Sequence, residues 1–255
     1  MRLVDSHCHL DFSDFDDDRR ELIERCHQIG IHNFVVPGVS AKNWERLHQV
    51  AMQHSEITPV YGLHPYFNEQ HSVNDICQLE YLIRTLHPRA VGEIGLDYYD
   101  KTLDRNKQRL LFEKQLLLAE KYQIPVILHV RKAHDDVLAM LKHRHICGGI
   151  MHAFSGNEQQ AKQYCDMGFV FGFGGVLLNP NAKKVRRLIK NLPINSIVLE
   201  TDAPDMIPVG STFSRNTPLT VYNVAEEAAE IRNLTVADIA EATTSNVERV
   251  LKVSF

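Results

Sequence analysis

The sequence predicts an α/β fold, specifically a (β/α)8 barrel, on three observations. Eight short, near-continuous apolar runs alternate with longer amphipathic segments from one end of the chain to the other. Dividing 255 residues among eight strands leaves roughly 32 residues per unit, the size of a βαβ step. Polar, chemically reactive side chains recur just beyond the C-terminal ends of those runs, the face on which such barrels place catalysis. A doubly wound open sheet is the competing architecture, and strand count alone does not exclude it. No repeat, low-complexity stretch or proline-rich linker interrupts the pattern, so residues 1–255 read as one domain.

The expected strands are Leu3–Ser6, Asn33–Pro37, Thr58–Gly62, Ala90–Glu93, Val126–Val130, Gly149–His152, Phe169–Gly174 and Ser196–Thr201. Their apolar side chains are continuous and do not alternate, as suits parallel strands buried on both faces. Between them, Arg19–Gln28, Asn43–Gln53 and Arg105–Tyr122 carry helical periodicity. Asp104 is placed to cap the third of these, Gly30 to stop the first and Gly168 to close another just before a strand. The acidic run Asp14–Asp18 precedes a helix N-terminus, where negative charge is favourable.

Composition narrows the function. A net charge of −4, from 28 basic and 32 acidic residues, argues against a protein that coats nucleic acid with a broad basic face. It leaves room for one that takes a few phosphates into a cleft. The N-terminus reaches His7 too soon for a signal peptide, and no apolar run is long enough to span a bilayer. Five cysteines without a CxxC pair read as free thiols, hence a cytoplasmic protein. No obligate protein partner is evident. Fourteen histidines are the compositional clue to chemistry.

Those histidines fall on the strand ends. His7 and His9 follow the first strand, His64 the third, Glu93 the fourth, His129 the fifth, His152 the sixth and Asp202 the eighth. His9 and His64 are 55 residues apart and His152 and Asp202 are 50 apart, two units in each case, with the second and seventh strands silent. Each residue alone has an ordinary explanation: surface histidines, a buried ion pair at Glu93, a turn at Asp202. Their convergence on one rim points to a metal site. Even with His64 left aside, four imidazoles and two carboxylates exceed the needs of one catalytic zinc. They suit two divalent ions about 3.5–4 Å apart that lower the pKa of a shared water. Glu93, near the middle of the ring, is the natural bridge, and Asp202 could hold one ion and take the proton of that water.

DSHCHLDF, GLHP, VGEIGLDYY, ILHVRKAHDD, HAFSGN, VLETDAPDM and RNTP together resemble the TatD family of metal-dependent deoxyribonucleases, within the amidohydrolase-like barrels. The resemblance runs from residue 5 to about 218, and the helical tail is compatible with it. It implies a two-metal phosphodiesterase, typically a 3′-to-5′ exonuclease acting on DNA ends or another phosphodiester. It further implies His7, His9, Glu93 and Asp202 as ligands of a first metal, and Glu93, His129 and His152 as ligands of a second. His64 and Asn216 fall where the family places phosphate contacts, and Glu200 where a further metal has been suggested. The TDAPDM segment departs from TDAP followed by an aromatic, which points to a subgroup of less characterised hydrolases.

The ions could be zinc, which imidazole favours, or magnesium or manganese. Arg131 would point the same way as His129 and could fork onto a phosphate, or form an ion pair. Arg215, beside Asn216, follows the eighth strand, where barrels often bind phosphate. Lys183, Lys184, Arg186 and Arg187 form either a nucleic-acid patch or a solvated helix face. Phe67, Tyr98 and Tyr99 could stack on a base or pack locally. Cys8, between two ligand histidines, faces the other way. A hydrolase of a small ester, amide or lactone is the alternative, although no lysine stands on the fourth or fifth strand to be carboxylated. A binding protein that keeps the site without turnover is the third class.

Overall fold

The computed structural model describes residues 1–255. Strands and helices alternate as β1 (Leu3–Asp5), α1 (Arg19–Gln28), β2 (Ile31–Pro37), α2 (Trp44–Gln53), β3 (Ile57–Val60), α3 (Val73–Leu86), β4 (Val91–Asp97) and α4 (Arg105–Tyr122). The second half continues with β5 (Val126–Arg131), α5 (His134–Leu141), β6 (Gly149–Met151), α6 (Glu158–Asp166), β7 (Phe169–Phe173), α7 (Lys183–Asn191) and β8 (Ile197–Leu199), followed by α8 (Thr220–Arg232) and α9 (Val236–Leu251). All eight expected strands are present, paired in parallel in chain order. Two seams join the sheet into a ring. At β3–β4, Tyr61 bridges Val91 and the Gly92 N–H donates to the Tyr61 carbonyl at 2.9 Å. At β8–β1, the Ser6 N–H donates to the Leu199 carbonyl, also at 2.9 Å. The architecture is therefore the closed barrel and not the open sheet.

Local signals explain where elements begin and end. Asp104 caps α4, accepting from the N–H groups of Asn106 and Lys107. Reciprocal capping boxes open α3 (Ser72 with Asp75), α6 (Asn157 with Gln160) and α9 (Thr235 with Asp238). Gly168 takes φ +83° between α6 and β7, a turn that a side chain would strain.

The interior of the ring is a separate apolar layer. Val4, Val35, Val60, Ala90, Ile127, Ile150, Val170 and Val198, one residue per strand position, form one buried cluster. Val247, Val250 and Leu251 of α9 join it and close the N-terminal end of the barrel. Burial of each such side chain contributes roughly 1.5–3 kcal/mol. Asn246 locks that plug, donating to the carbonyls of Ile194 and Ile197 at 2.8 Å each. The larger core lies outside the strands, under the helices. With one end stoppered, the opposite rim is left for chemistry.

β4 departs from expectation in a way that matters for that rim. It runs to Asp97, beyond the Ala90–Glu93 that the apolar pattern predicts, and its register shifts against β5: Val91 pairs with Val126, but Ile94 pairs with Leu128. Three steps on β4 face two on β5, so one extra residue is accommodated and the alternation of faces is reset. Ala90 faces the interior layer, yet Ile94 and Leu96 belong to the outer core. Glu93, Gly95 and Asp97 are thereby turned inward.

Candidate active site

One step along most strands from the apolar layer, the inward positions become polar or very small. Two residues beyond Ile127, Ile150 and Val198 stand His129, His152 and Glu200. Two beyond Val60 and Val170 stand Gly62 and Gly172. Gly172 explains why the seventh strand is silent. A Cβ on Gly172 would lie 1.9 Å from Glu200 Oε2, and one on Gly62 would lie within 3.0 Å of the Gly92–Glu93 backbone. Gly95, at φ +148°, lets β4 approach the His129 carbonyl, which a Cβ would meet at 1.9 Å. Gly172 holds open the space of the Glu200 carboxylate, and Gly62 and Gly95 let neighbouring backbones close up around the site.

The predicted ligand residues converge. His7 Nε2 stands 3.2 Å from Glu93 Oε2 and 3.5 Å from Asp202 Oδ1. The same Asp202 oxygen is 3.5 Å from His9 Nε2, while Asp202 Oδ2 is 3.7 Å from His152 Nε2. On the other side of Glu93, Oε1 is 3.1 Å from His129 Nδ1 and 3.3 Å from His64 Nε2. His7 and His152 stack with ring centroids 3.7 Å apart. Three sets of ligand-type atoms lie close enough to share a cation: His7, His9 and Asp202; His7, Glu93 and His152; His64, Glu93 and His129. Glu93 belongs to two of them.

Two further carboxylates orient the histidines from behind. Asp97 Oδ2 is 3.1 Å from His129 Nε2, leaving Nδ1 toward Glu93. Glu200 Oε1 accepts from the Ala153 N–H at 2.7 Å and lies 3.0 Å from His152 Nδ1, leaving Nε2 toward Asp202. This is the arrangement that fixes ring orientation and raises basicity behind metal-binding imidazoles. Nothing in the sequence alone singles out Asp97; the bulge in β4, which leaves no signature in composition, is what brings it inward. Asp5 works on the backbone instead. Fully buried, it accepts from the N–H groups of His7 and Thr201 and from the Thr201 hydroxyl, tying β1 to β8. Burial pushes its carboxyl up to about 8.

The donor set fits divalent cations. Both ring nitrogens of His7 and Nδ1 of His9 are buried without a hydrogen-bond partner, although His7 Nε2 is close to Glu93. Such atoms are costly unless something satisfies them. The electrostatics agree. Burial opposes charge throughout, yet the Asp202 carboxylate lifts His9 to about 9, and Glu200 with Asp202 lifts His152 to about 10. For Glu93, burial is outweighed by His64, His7 and His129, which hold it well below the usual carboxylate range. Asp202 is brought down to about 2, the nearby histidines overcoming its burial. The cluster calls for positive charge at its centre.

His64 is distinguished from the other imidazoles by its tautomer. Its Nδ1 accepts from the Tyr66 N–H at 3.0 Å, and a backbone amide can only donate. The proton therefore sits on Nε2, the nitrogen facing Glu93, which makes it a hydrogen-bond donor and not a lone-pair ligand. Burial lowers this ring to about 4, so it is neutral at pH 7.

Beside the cluster opens a cavity of about 400 Å³ lined by His129, Arg131, His152, Phe154, Asp202 and Met206, among others. Arg131 reaches it with half its side chain exposed, its guanidinium 3.6 Å from the Tyr99 ring centroid and 4.0 Å from Asp97. Two expected phosphate contacts are placed elsewhere. Arg215 is ion-paired to Asp18 and lies over the Phe15 ring, facing a separate pocket. Asn216 is buried and its amide is fully engaged: Nδ2 donates to the Thr201 and Met206 carbonyls, and Oδ1 accepts from the Thr217 N–H and the Thr220 hydroxyl. It is a clamp for the loop after β8. Asp18 precedes α1 without capping it, so the acidic run acts through arginine pairs: Asp16 accepts from Arg19 and pairs with Arg46.

The geometry is that of a metal-dependent hydrolase, and comparison with known proteins places it. The model of the family described as TatD related DNase matches residues 4–252. The chain belongs to the TatD family. Among TatD-family relatives it is 36% identical over 255 residues to the uncharacterized metal-dependent hydrolase YjjV of Escherichia coli K12, covering 99% of this chain and 98% of that one. The crystal structure of that TatD homologue superposes with a TM-score of 0.94, covering 99% of each chain. Identity to the uncharacterized metal-dependent hydrolase YabD of Bacillus subtilis is 32%, over 99% of this chain and all of that one. A TatD-family hydrolase from Entamoeba histolytica, 19% identical, shares the fold with a TM-score of 0.84 over 98% of both chains.

Proposed function

We propose that this TatD-family hydrolase cleaves phosphodiesters as a 3′-to-5′ exodeoxyribonuclease, with two divalent ions, zinc, magnesium or manganese, held by His7, His9, Glu93, His129, His152 and Asp202. The observation that carries this reading is Glu93: one carboxylate flanked by His7 on one oxygen and by His129 and His64 on the other. Ions bound there supply Lewis acidity and lower the pKa of water. The chain's own residues do the rest. Asp202, partly exposed to the cavity, is the group placed to accept the proton of the attacking water. His64 offers Nε2–H, and Arg131 its guanidinium, to non-bridging phosphate oxygens. Asp97 and Glu200 keep His129 and His152 aimed. Five free cysteines accord with a cytoplasmic setting, and no helix is long and apolar enough to cross a membrane.

The test is a side-by-side assay of the metal-loaded protein on end-labelled single-stranded DNA, a chromogenic phosphodiester and a chromogenic carboxylic ester, each with and without chelator. Chelator-sensitive release of nucleotides from the 3′ end supports the proposal. Cleavage of the ester alone would assign the site to small-ester chemistry.

A further inference from the structure

α4 buries two polar side chains in a face that is otherwise apolar. Gln108 and Gln115 are 1% and 0% exposed, beside Leu111, Phe112, Leu116 and Ala119. They stand seven residues apart, two helical turns and about 10 Å along one face. A buried carboxamide is costly unless its oxygen and its nitrogen are both used. Both are used here, and in the same way. Gln115 Oε1 accepts from the Leu63 N–H at 2.7 Å, while its Nε2 donates to the Leu63 carbonyl at 3.2 Å. Gln108 Oε1 accepts from the Asp97 N–H at 2.8 Å, while its Nε2 donates to the Asp97 carbonyl at 2.9 Å. Each glutamine grips one residue's backbone as a neighbouring strand would.

These grips fall where β3 and β4 part. The two strands share a single bridge, Tyr61 with Val91. β3 ends at Val60, whereas β4 runs on to Asp97. Past the bridge, the end of β4 and the segment leading to His64 lack a common ladder, and buried backbone groups must be paired by something else. Asn68, also buried, adds a third tie. Its Nδ2 donates at 3.2 Å to the carbonyl of Asp104, the residue that caps α4.

The two gripped residues are one step from the metal cluster. Leu63 directly precedes His64, whose Nε2 is 3.3 Å from Glu93 Oε1. Asp97 aims His129, whose Nδ1 is 3.1 Å from the same oxygen. One helix therefore spans both partners of Glu93 Oε1. On the opposite side of the cluster, β1 and the end of β8 are tied together through Asp5 instead.

We propose that Gln108 and Gln115 are positioning residues, with α4 as the ruler that sets His64 and, through Asp97, His129 against Glu93. This rests on the two-ion reading of the cluster and assigns the helix to one half of it, the side formed by His64, Glu93 and His129.

The experiment uses Gln108→Met and Gln115→Met, which keep the side-chain length and remove both hydrogen bonds. Each leaves a buried N–H and C=O unpaired, so Tm should fall in both. Other readouts separate positioning from packing. Zinc binding is measured against a competing chelating dye, and the histidine rings of the zinc-loaded proteins are followed by proton–nitrogen correlation spectra. Gln108→Met should need roughly tenfold more free zinc to fill its second site, the low end of what outer partners of metal-binding histidines supply. Its first ion and its His64 spectrum should be unchanged. Gln115→Met should keep both ions at wild-type affinity but lose the fixed Nε2-protonated pattern of His64. Once saturated with zinc, it should also show a raised KM for a chromogenic phosphodiester. Gln108→Glu and Gln115→Glu retain the length and an accepting oxygen. They should fall between wild type and the methionine variants, and they replace those variants if methionine prevents folding. Lower stability with wild-type zinc affinity and ring spectra would overturn the proposal, as would identical defects in the two variants. A wild type that binds only one zinc would overturn the two-ion reading instead, while the His64 spectrum of Gln115→Met still decides the role of the helix.

Discussion

Asp97 Oδ2 lies 3.1 Å from His129 Nε2, and it does so because an extra residue in β4 turns Asp97 into the barrel. The contact aims the opposite nitrogen of His129 at Glu93. Partners of this kind typically contribute 10–100-fold to metal affinity or activity. Asp97→Asn keeps the shape and removes the charge, so half-saturating metal concentration should rise by roughly that factor while the fold is preserved. Metal titration followed by activity, with circular dichroism as the control, measures it. An unchanged metal requirement would reduce Asp97 to a packing residue.

Gly172 makes the complementary prediction for β7. A methyl group there would sit 1.9 Å from Glu200 Oε2, and Glu200 is buried with little freedom to retreat. Overpacking of this sort costs about 1–3 kcal/mol. Displacing Glu200 should also release His152, so Gly172→Ala should show both a lower Tm and a lower metal content. A variant with normal stability and full metal content would show that Glu200 does not hold His152.

Asp202 separates binding from catalysis. Its two oxygens face His7, His9 and His152, and it also lines the cavity. Asparagine retains a ligating oxygen but cannot take a proton at neutral pH. Asp202→Asn should keep much of its metal and DNA affinity while kcat falls by about 10²–10⁴-fold. If the metal-replete variant turns over normally, the base is another group. The Nε2-protonated tautomer of His64 makes that ring a poor substitute.

Much of this site is legible in sequence, and the exceptions have physical causes. His7, His9, His129, His152 and Asp202 can be found because the apolar strands end sharply at polar residues on a repeating interval. The bulge that admits Glu93 and Asp97 together depends on pairing with β5, a tertiary property. Arg215 looks like a free phosphate ligand until Asp18, 197 residues away, is seen beside it. Asn216 is likewise consumed by its own loop. Long-range pairing, not local pattern, decides which polar side chains remain available.

His134 gives the chain a pH-dependent stability independent of the metal ligands. Burial, with Lys184 adding to it, lowers its pKa to about 4, against an unfolded value of about 6.5. The unfolded chain therefore binds the proton more readily between those values. The stabilisation is fully present above pH 6.5 and is lost as pH falls toward 4. The shift corresponds to about 3 kcal/mol at most. Urea unfolding in chelator at pH 7, 6 and 5 should show wild type losing its advantage over His134→Gln as the pH falls. Parallel pH profiles for the two proteins would contradict this.

The central claim, a pair of divalent ions bridged by Glu93 and used on DNA ends, is tested most directly by elemental analysis and DNA cleavage on the same samples. Wild type purified without chelator should carry about two divalent ions per chain and shorten 5′-labelled single-stranded DNA one nucleotide at a time from its 3′ end. Glu93→Ala should lose both ions and the cleavage together. Full metal content in Glu93→Ala, or a wild type replete with two ions that leaves the DNA intact, would contradict the account.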